Sequence, residues 1–364
     1  MTIPKASIVN EPSAPSHATM ELTPNAKREI DLMKKMLALL SIVSALILSS
    51  CSSAPEENQA QSQVISSPTT SPTKNFHPIS LDALSEQEFI GTDLKLEKVL
   101  GENSKFTRHY ITYKSNGLLI SGIMNIPKGE GPFPTLVLAH GYIDPEIYTT
   151  GRGLAREQKY LAERGYVVLH TDYRNHAGSD KDPDNDVNFR FGYTEDVVNA
   201  ALALRNSNFE FVDKERIGLL GRSMGGGIAF NTMVAKPGVF DAFVLFAPTS
   251  ANAVDNFNRW TRMRFDVAER IEEQFGLPDQ NPEFWKGISA INYFDRIQEP
   301  VLILHGTEDE SCDIQWSVNA ADMLEKAGKK FEFIQYEGEK HAFIPKWPDS
   351  MAETTRFFEE NLKS

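Results

Sequence analysis

One serine stands between two glycines in Gly221-Arg222-Ser223-Met224-Gly225, with apolar runs at 217–220 before it and 228–230 after it. A serine hydroxyl is a poor nucleophile at neutral pH and needs a neighbouring base, which in turn needs a carboxylate to orient it. Further along, Thr307, Glu308 and Asp309 follow the apolar run VLILHG, and Glu337, Gly338, Glu339, Lys340 and His341 follow FEFIQY. Serine, acid and histidine thus occur in that order, each just past an apolar run, which is the residue set of nucleophilic acyl transfer. Glycine costs conformational entropy in regular structure, so the flanking glycines call for a geometric reason. A tight strand-to-helix turn that presents the serine hydroxyl supplies one. The pentapeptide by itself reads equally well as a glycine-rich connection; the order and placement of the three segments favour the nucleophile.

The elements that must position these residues are legible as alternating patterns. RHYITYKS and LLISGIMNIP flank Asn116-Gly117, a strong hairpin signal. PTLVLAHG, YVVLH at 166–170, RIGLL at 216–220, AFVLFAP at 242–248, VLILHG and FEFIQY are short, nearly continuous apolar runs suited to strands buried on both faces. Helical patterns separate them. The expectation is an α/β fold with a mostly parallel, doubly wound sheet of about eight strands and an antiparallel hairpin at its start. In such sheets chemistry sits at the carboxyl ends of the strands, and the order serine, acid, histidine is that of the α/β-hydrolase fold. The oxyanion formed on attack needs preorganised donors. The Met224 N–H, directly after the serine, is one; Tyr142, in the loop after PTLVLAHG, offers its N–H or its phenol as the other. His140 reads as part of the strand-end turn, and Asp172-Tyr173-Arg174 as a structural ion pair and turn.

The motifs HGY at 140–142, GYVVLHTDYRNHAGS at 165–179, ERIGLLGRSMGG at 215–226, VLILHGTEDE at 301–310 and KHAF at 340–343 resemble the catalytic domain of the prolyl oligopeptidase family over about residues 105–362. That group holds serine peptidases and related acyl and acetyl esterases. Matched position by position, the resemblance implies Ser223 as nucleophile, Asp309 as the acid and His341 as the base, although Glu308, Glu310 and Asp313 crowd Asp309. It implies no cofactor and no metal. Peptidases of the family commonly carry a β-propeller ahead of the catalytic domain. Here the stretch between Cys51 and Phe106 has room for a tether and a short helical lead-in at 81–105, so small acyl esters are expected as much as peptides. The segment 248–299 is too long for a simple crossover and carries Phe257, Trp260, Phe265, Phe275, Phe284 and Trp285. After the sixth strand of this fold such an insertion forms a cap over the active site, and most of its aromatic residues are expected to make its own small core.

The first eighty residues read as an address. Residues 33–50 have a basic start at Lys34 and Lys35, an apolar run at 36–48 and small residues after it, the layout of a secretory signal. The run is too short for a comfortable membrane span. Leu48-Ser49-Ser50-Cys51 resembles the lipobox of bacterial lipoproteins, in which the cysteine is lipidated and becomes the mature amino terminus. Residues 1–32 are polar and aperiodic, and Met33 is expected to be the true start. The segment 51–80, rich in Ser, Thr, Pro and Gln, is expected to be a disordered tether to the catalytic domain at 106–364. Ser52 stands where an inner-membrane retention signal would place aspartate, which points to the outer membrane of a two-membrane bacterium.

The bulk numbers agree with this layout. The 364 residues are 41% hydrophobic with a net charge of −13, which disfavours nucleic acid as a partner. Two cysteines, Cys51 and Cys312, exclude a disulfide framework and show no metal-ligand spacing. The sequence therefore predicts a lipid-anchored serine hydrolase of esters or short peptides, acting through an acyl-enzyme. An acyltransferase using the same residues and a catalytically silent surface-binding protein are the alternatives. The oligomeric state is not encoded in any of these features.

Overall fold

The structure, a computed structural model, describes residues 76–362. The expected start, the signal at 33–50, Cys51 and most of the tether lie outside the described residues. Within them, nine strands form one sheet: β1 (Gly91–Glu102), β2 (Phe106–Ser115), β3 (Leu118–Pro127), β4 (Phe133–Ala139), β5 (Val167–Thr171), β6 (Val212–Arg222), β7 (Ala242–Phe246), β8 (Val301–Gly306) and β9 (Phe331–Tyr336). Their spatial order is β1-β2-β3-β5-β4-β6-β7-β8-β9. The pairs β1–β2, β2–β3 and β3–β5 are antiparallel and the rest of the sheet is parallel. The hairpin expected at Asn116-Gly117 joins β2 to β3 with both residues at positive φ.

Both faces of the parallel strands are covered, which explains their unbroken apolar runs. Along β4, Val137 and Ala139 belong to one core and Leu136 and Leu138 to the other. The first face is covered by helices α3 (Phe191–Asn206), α4 (Met224–Ala235) and α8 (Ile314–Lys326); the second by α2 (Ala155–Ala162) and α9 (Trp347–Leu362). Side chains alternating between the two cores hold the register, because a one-residue slip would exchange every contact.

Two expectations need correction. The lead-in at 81–105 is helical only in α1 (Leu81–Glu86); most of its remainder is β1, so the sheet has nine strands where about eight were expected, and the 248–299 segment follows the seventh strand, not the sixth. Leu, Lys and Glu favour helix, but Leu94 and Leu96 pack on the core at a spacing of two while Asp93, Lys95 and Glu97 face solvent. Pairing with β2 outweighs local preference here. The close approach of α3 adds to this: a side chain at Gly91 would meet the Asn199 carbonyl at 2.1 Å. Second, the folded chain starts before residue 80. His77 packs edge-on against Phe284 at 4.9 Å, and the Ser80 hydroxyl caps α1 by accepting the Ala83 N–H at 3.0 Å.

The segment 248–299 comprises α5 (Ala253–Arg259), α6 (Phe265–Phe275), α7 (Pro282–Gly287) and 3-10 turns at Thr261–Met263 and Ala290–Arg296. Phe275 and Phe284 stack at 4.7 Å, and Trp285 is buried against Phe189 and Phe257. Phe265 is 79% exposed.

Candidate active site

Ser223 lies between β6 and α4, as the N-cap of the helix, with φ 56° and ψ −120°, a conformation that a non-glycine residue holds only when its surroundings enforce it. They do. Its N–H donates to the Phe246 carbonyl at 2.9 Å, and its carbonyl accepts from the Gly226 and Thr249 N–H groups at 2.9 and 3.0 Å. The two flanking glycines are demanded by contact: a Cβ at Gly221 would lie 2.3 Å from the Gly225 carbonyl oxygen, and one at Gly225 only 1.9 Å from that of Ala139. The helix therefore starts almost on the end of β4, and the loop after β4 runs beside the serine. A Cβ on Gly141 would stand 3.1 Å from that of Ser223.

His341 follows β9, and Asp309 follows β8. The Nδ1–H of His341 donates to Asp309 Oδ2 at 2.8 Å. The Asp309 side chain is buried and also accepts the Ser311 and Cys312 N–H groups on Oδ1 at 2.8 and 2.9 Å, while its Oδ2 lies 3.1 Å from the Nε2 of His305, whose N–H is shared with the Cys312 carbonyl at 3.0 Å. Burial alone would raise its pKa; the hydrogen bonds from His305 and His341, with the Cys312 N–H, outweigh burial and hold it well below the usual carboxylate range. The carboxylate is thus fixed and ionised. With Nδ1 of His341 so engaged, the lone pair of the neutral ring is on Nε2, where a base must carry it. Neither Glu308 nor Asp313 bonds this ring; the Asp313 side chain caps α8 through the Gln315 N–H at 2.9 Å, and Glu310 reaches only the His341 N–H, at 3.5 Å.

Ser223, Met224, Tyr142 and His341 line one cavity of about 760 Å³. Met224 is the first residue of α4, so its N–H has no carbonyl partner in the preceding turn. The Ser223 hydroxyl is 3.9 Å from the Sγ of Cys312, a free buried thiol whose pKa burial, reinforced by the Asp309 charge, pushes up to about 12. At neutral pH it is a protonated neighbour, not a competing thiolate. Met224, Tyr142 and the three chain-ordered residues are thus brought together; Cys51 lies outside the described residues.

Several supporting residues were not singled out in the sequence reading. His305 holds Asp309 and is itself fixed by a 2.7 Å bond from the Ser317 hydroxyl to Nδ1. Glu339, also buried, closes the histidine loop by accepting the Lys340, Ile344 and Lys346 N–H groups. Arg222 donates to the His341 carbonyl at 2.7 Å, and Arg156 to those of Ala342 and Phe343 at 2.9 and 3.2 Å. A buried polar residue beside a catalytic motif is the signal that was available for His305 and Glu339. His140 is buried with its Nδ1 2.7 Å from the Gly141 carbonyl, and burial drops its pKa to about 3, so it stays neutral in the turn. Arg174 pairs with Asp196, Glu195 and Asp182, and Asp172 accepts from Ser121, Tyr148 and Gly151, which makes both structural.

The profile of the prolyl oligopeptidase family matches residues 153–364, a stretch that includes the serine, the aspartate and the histidine. The chain belongs to the prolyl oligopeptidase family. It is 28% identical to the uncharacterised peptidase YtmA of Bacillus subtilis (strain 168) over 67% of this chain and 90% of the relative. To the uncharacterised peptidase YuxL of the same organism it is 26% identical over 71% of this chain, and there it spans only 40% of the relative. Among solved structures, acetyl xylan esterase 1 from Thermoanaerobacterium sp. JW/SL YS485 superimposes with a TM-score of 0.60 at 19% identity, covering 77% of this chain and 92% of the esterase. That last likeness is one of fold. Family membership makes the chain a serine hydrolase of the prolyl oligopeptidase-like group, with an α/β-hydrolase fold.

Proposed function

We propose that Ser223 is the nucleophile, His341 the base and Asp309 the orienting acid of an acyl-enzyme mechanism. Ser223 Oγ attacks the acyl carbon while His341 Nε2 takes its proton. The tetrahedral oxyanion is held by the N–H groups of Met224 and Tyr142, and collapse expels the alcohol or amine with the proton from His341. Water then repeats the cycle to release the acid. The observation that carries this reading is the 2.8 Å bond from His341 Nδ1 to a buried, ionised Asp309, which turns the other ring nitrogen over to proton transfer at the cavity that Ser223 faces. Both small esters and short peptides fit the reading, since the acyl transfer is the same. Ser223→Ala should reduce hydrolysis of 4-nitrophenyl butyrate by roughly 10⁶ with the melting temperature retained; turnover within tenfold of wild type would remove the assignment. Competing alcohols or amines in the same assay distinguish a hydrolase from an acyltransferase by product.

We propose further that Cys51 anchors the enzyme at the bacterial envelope, a reading supported by the signal-like sequence at 33–50. Activity in the soluble cell fraction would contradict it.

A further inference from the structure

The cavity beside Ser223 carries a charge that the hydrolytic chemistry does not use. Among the described residues lining it, Asp186 is the one carboxylate, and it is shared by two guanidinium groups. Arg190 Nε donates to its Oδ1 at 2.6 Å and Arg264 Nη2 to its Oδ2 at 2.5 Å. Although burial works against ionisation, the two cations hold Asp186 down to about 2, so it is charged throughout the working range. One negative charge between two positive ones gives these three side chains a net charge of +1; Asp266, in the first turn of α6, is a further carboxylate in electrostatic reach of Arg264. Arg222, the third arginine on the wall, is already engaged by the His341 carbonyl and Glu157.

Three further observations aim this charge at the reacting centre. Arg190 Nη1 lies 3.3 Å from the Sδ of Met224, the residue after the nucleophile, and its guanidinium sits 5.0 Å from the centre of the Tyr142 ring. Arg190 spends one N–H on Asp186 and one on the Met224 sulfur, Arg264 spends one on Asp186, and each keeps others for a ligand. Phe189 and Arg190 both hold left-handed backbone, with φ 53° and 60°, a strained pair of the kind that persists where function requires the placement. The chain as a whole is strongly acidic, at −13. At 0.1 M salt, charges more than about 10 Å away are largely screened, so the local pair decides what binds.

We propose that the cavity selects substrates carrying a carboxylate, held by Arg190 and Arg264 on the acyl or the leaving-group side of the scissile bond. The proposal rests on Ser223 being the nucleophile. A cationic group in the same place would meet the two guanidiniums with only Asp186, already paired with both, to attract it. Arg264 comes from the start of α6 and Arg190 from the loop before α3, so a bound carboxylate also bridges the 248–299 segment to the main domain.

Two pairs of chromogenic esters test this on the full chain, each corrected for spontaneous hydrolysis. The first compares the 4-nitrophenyl monoester of adipic acid with 4-nitrophenyl hexanoate; the second compares 3-carboxy-4-nitrophenyl butyrate with 4-nitrophenyl butyrate. The readout is the ratio of kcat/KM for the charged over the neutral ester, which cancels any difference in the fraction of folded enzyme. In one pair the ratio should exceed unity. In that pair it should fall roughly ten- to hundredfold in Arg190→Gln and Arg264→Gln, the worth of one charge-assisted hydrogen bond. Arg264→Lys, which keeps the charge, should recover part of it. A ratio at or below one in both pairs, or one unchanged in both glutamine variants, overturns the proposal while leaving the nucleophile in place. Absence of all ester turnover together with an unreactive Ser223 overturns both.

Discussion

The strand-end residues Ser223 and His341 and the 248–299 segment line the same cavity, and the two regions are built by different means. At the strand ends, position is set by backbone: Ser223 is locked by main-chain hydrogen bonds and by glycines that admit no side chain, and Asp309 by two N–H groups of its own loop. The 248–299 segment is set by side chains, through the Phe275–Phe284 stack, the Trp285 contacts and the Arg264–Asp186 pair. The first kind of site tolerates almost no variation in geometry. The second can change its lining without disturbing the sheet. On the proposed reading, reaction type is set at the strand ends and substrate choice in part by the 248–299 segment.

Substitutions at the two sides should therefore fail in different ways. The larger effect belongs to the strand ends. Asp309→Asn should lower kcat by about 10⁴, the cost seen when the equivalent carboxylate is lost in a serine protease, with the melting temperature little changed. Glu310→Gln, which touches only the His341 backbone, should leave kcat near wild type; the reverse pattern would move the acid to Glu310. On the other side, Phe257, buried and lining the cavity, should cost about 3 to 5 kcal/mol of stability on change to alanine and alter KM more than kcat. Phe265→Ser, at the exposed start of α6, should shift stability by no more than about 0.5 kcal/mol. Chemical denaturation of the two variants with steady-state kinetics checks both; a kcat loss at Phe257 as large as that at Asp309 would erase the distinction.

Legibility in the sequence divides along the same line. Ser223, Asp309 and His341 could be singled out as candidates because each sits in a short segment whose residue types are dictated locally, by a tight turn or a strand end. The parallel core was legible for the same reason, since strands such as β4 bury both faces. The first strand of the sheet was not, because its Leu, Lys and Glu content favours helix and only its pairing with β2 decides otherwise. His305, Glu339, Arg156 and Arg222 were also hidden, although they hold the acid and the histidine loop. Their roles arise from contacts between elements far apart in the chain. Asp186 and Arg264 meet across nearly eighty positions, and no local pattern announces such a pair.

On the proposed mechanism the nucleophile is the Ser223 oxygen rather than the Cys312 sulfur 3.9 Å away. Peptide mapping by mass spectrometry after reaction with a fluorophosphonate addresses it directly. The structure predicts one phosphonyl group on the peptide containing Ser223 in the wild-type chain, retained in Cys312→Ala and absent in Ser223→Ala. Modification of Cys312, or full inactivation with Ser223 unmodified, would contradict the account.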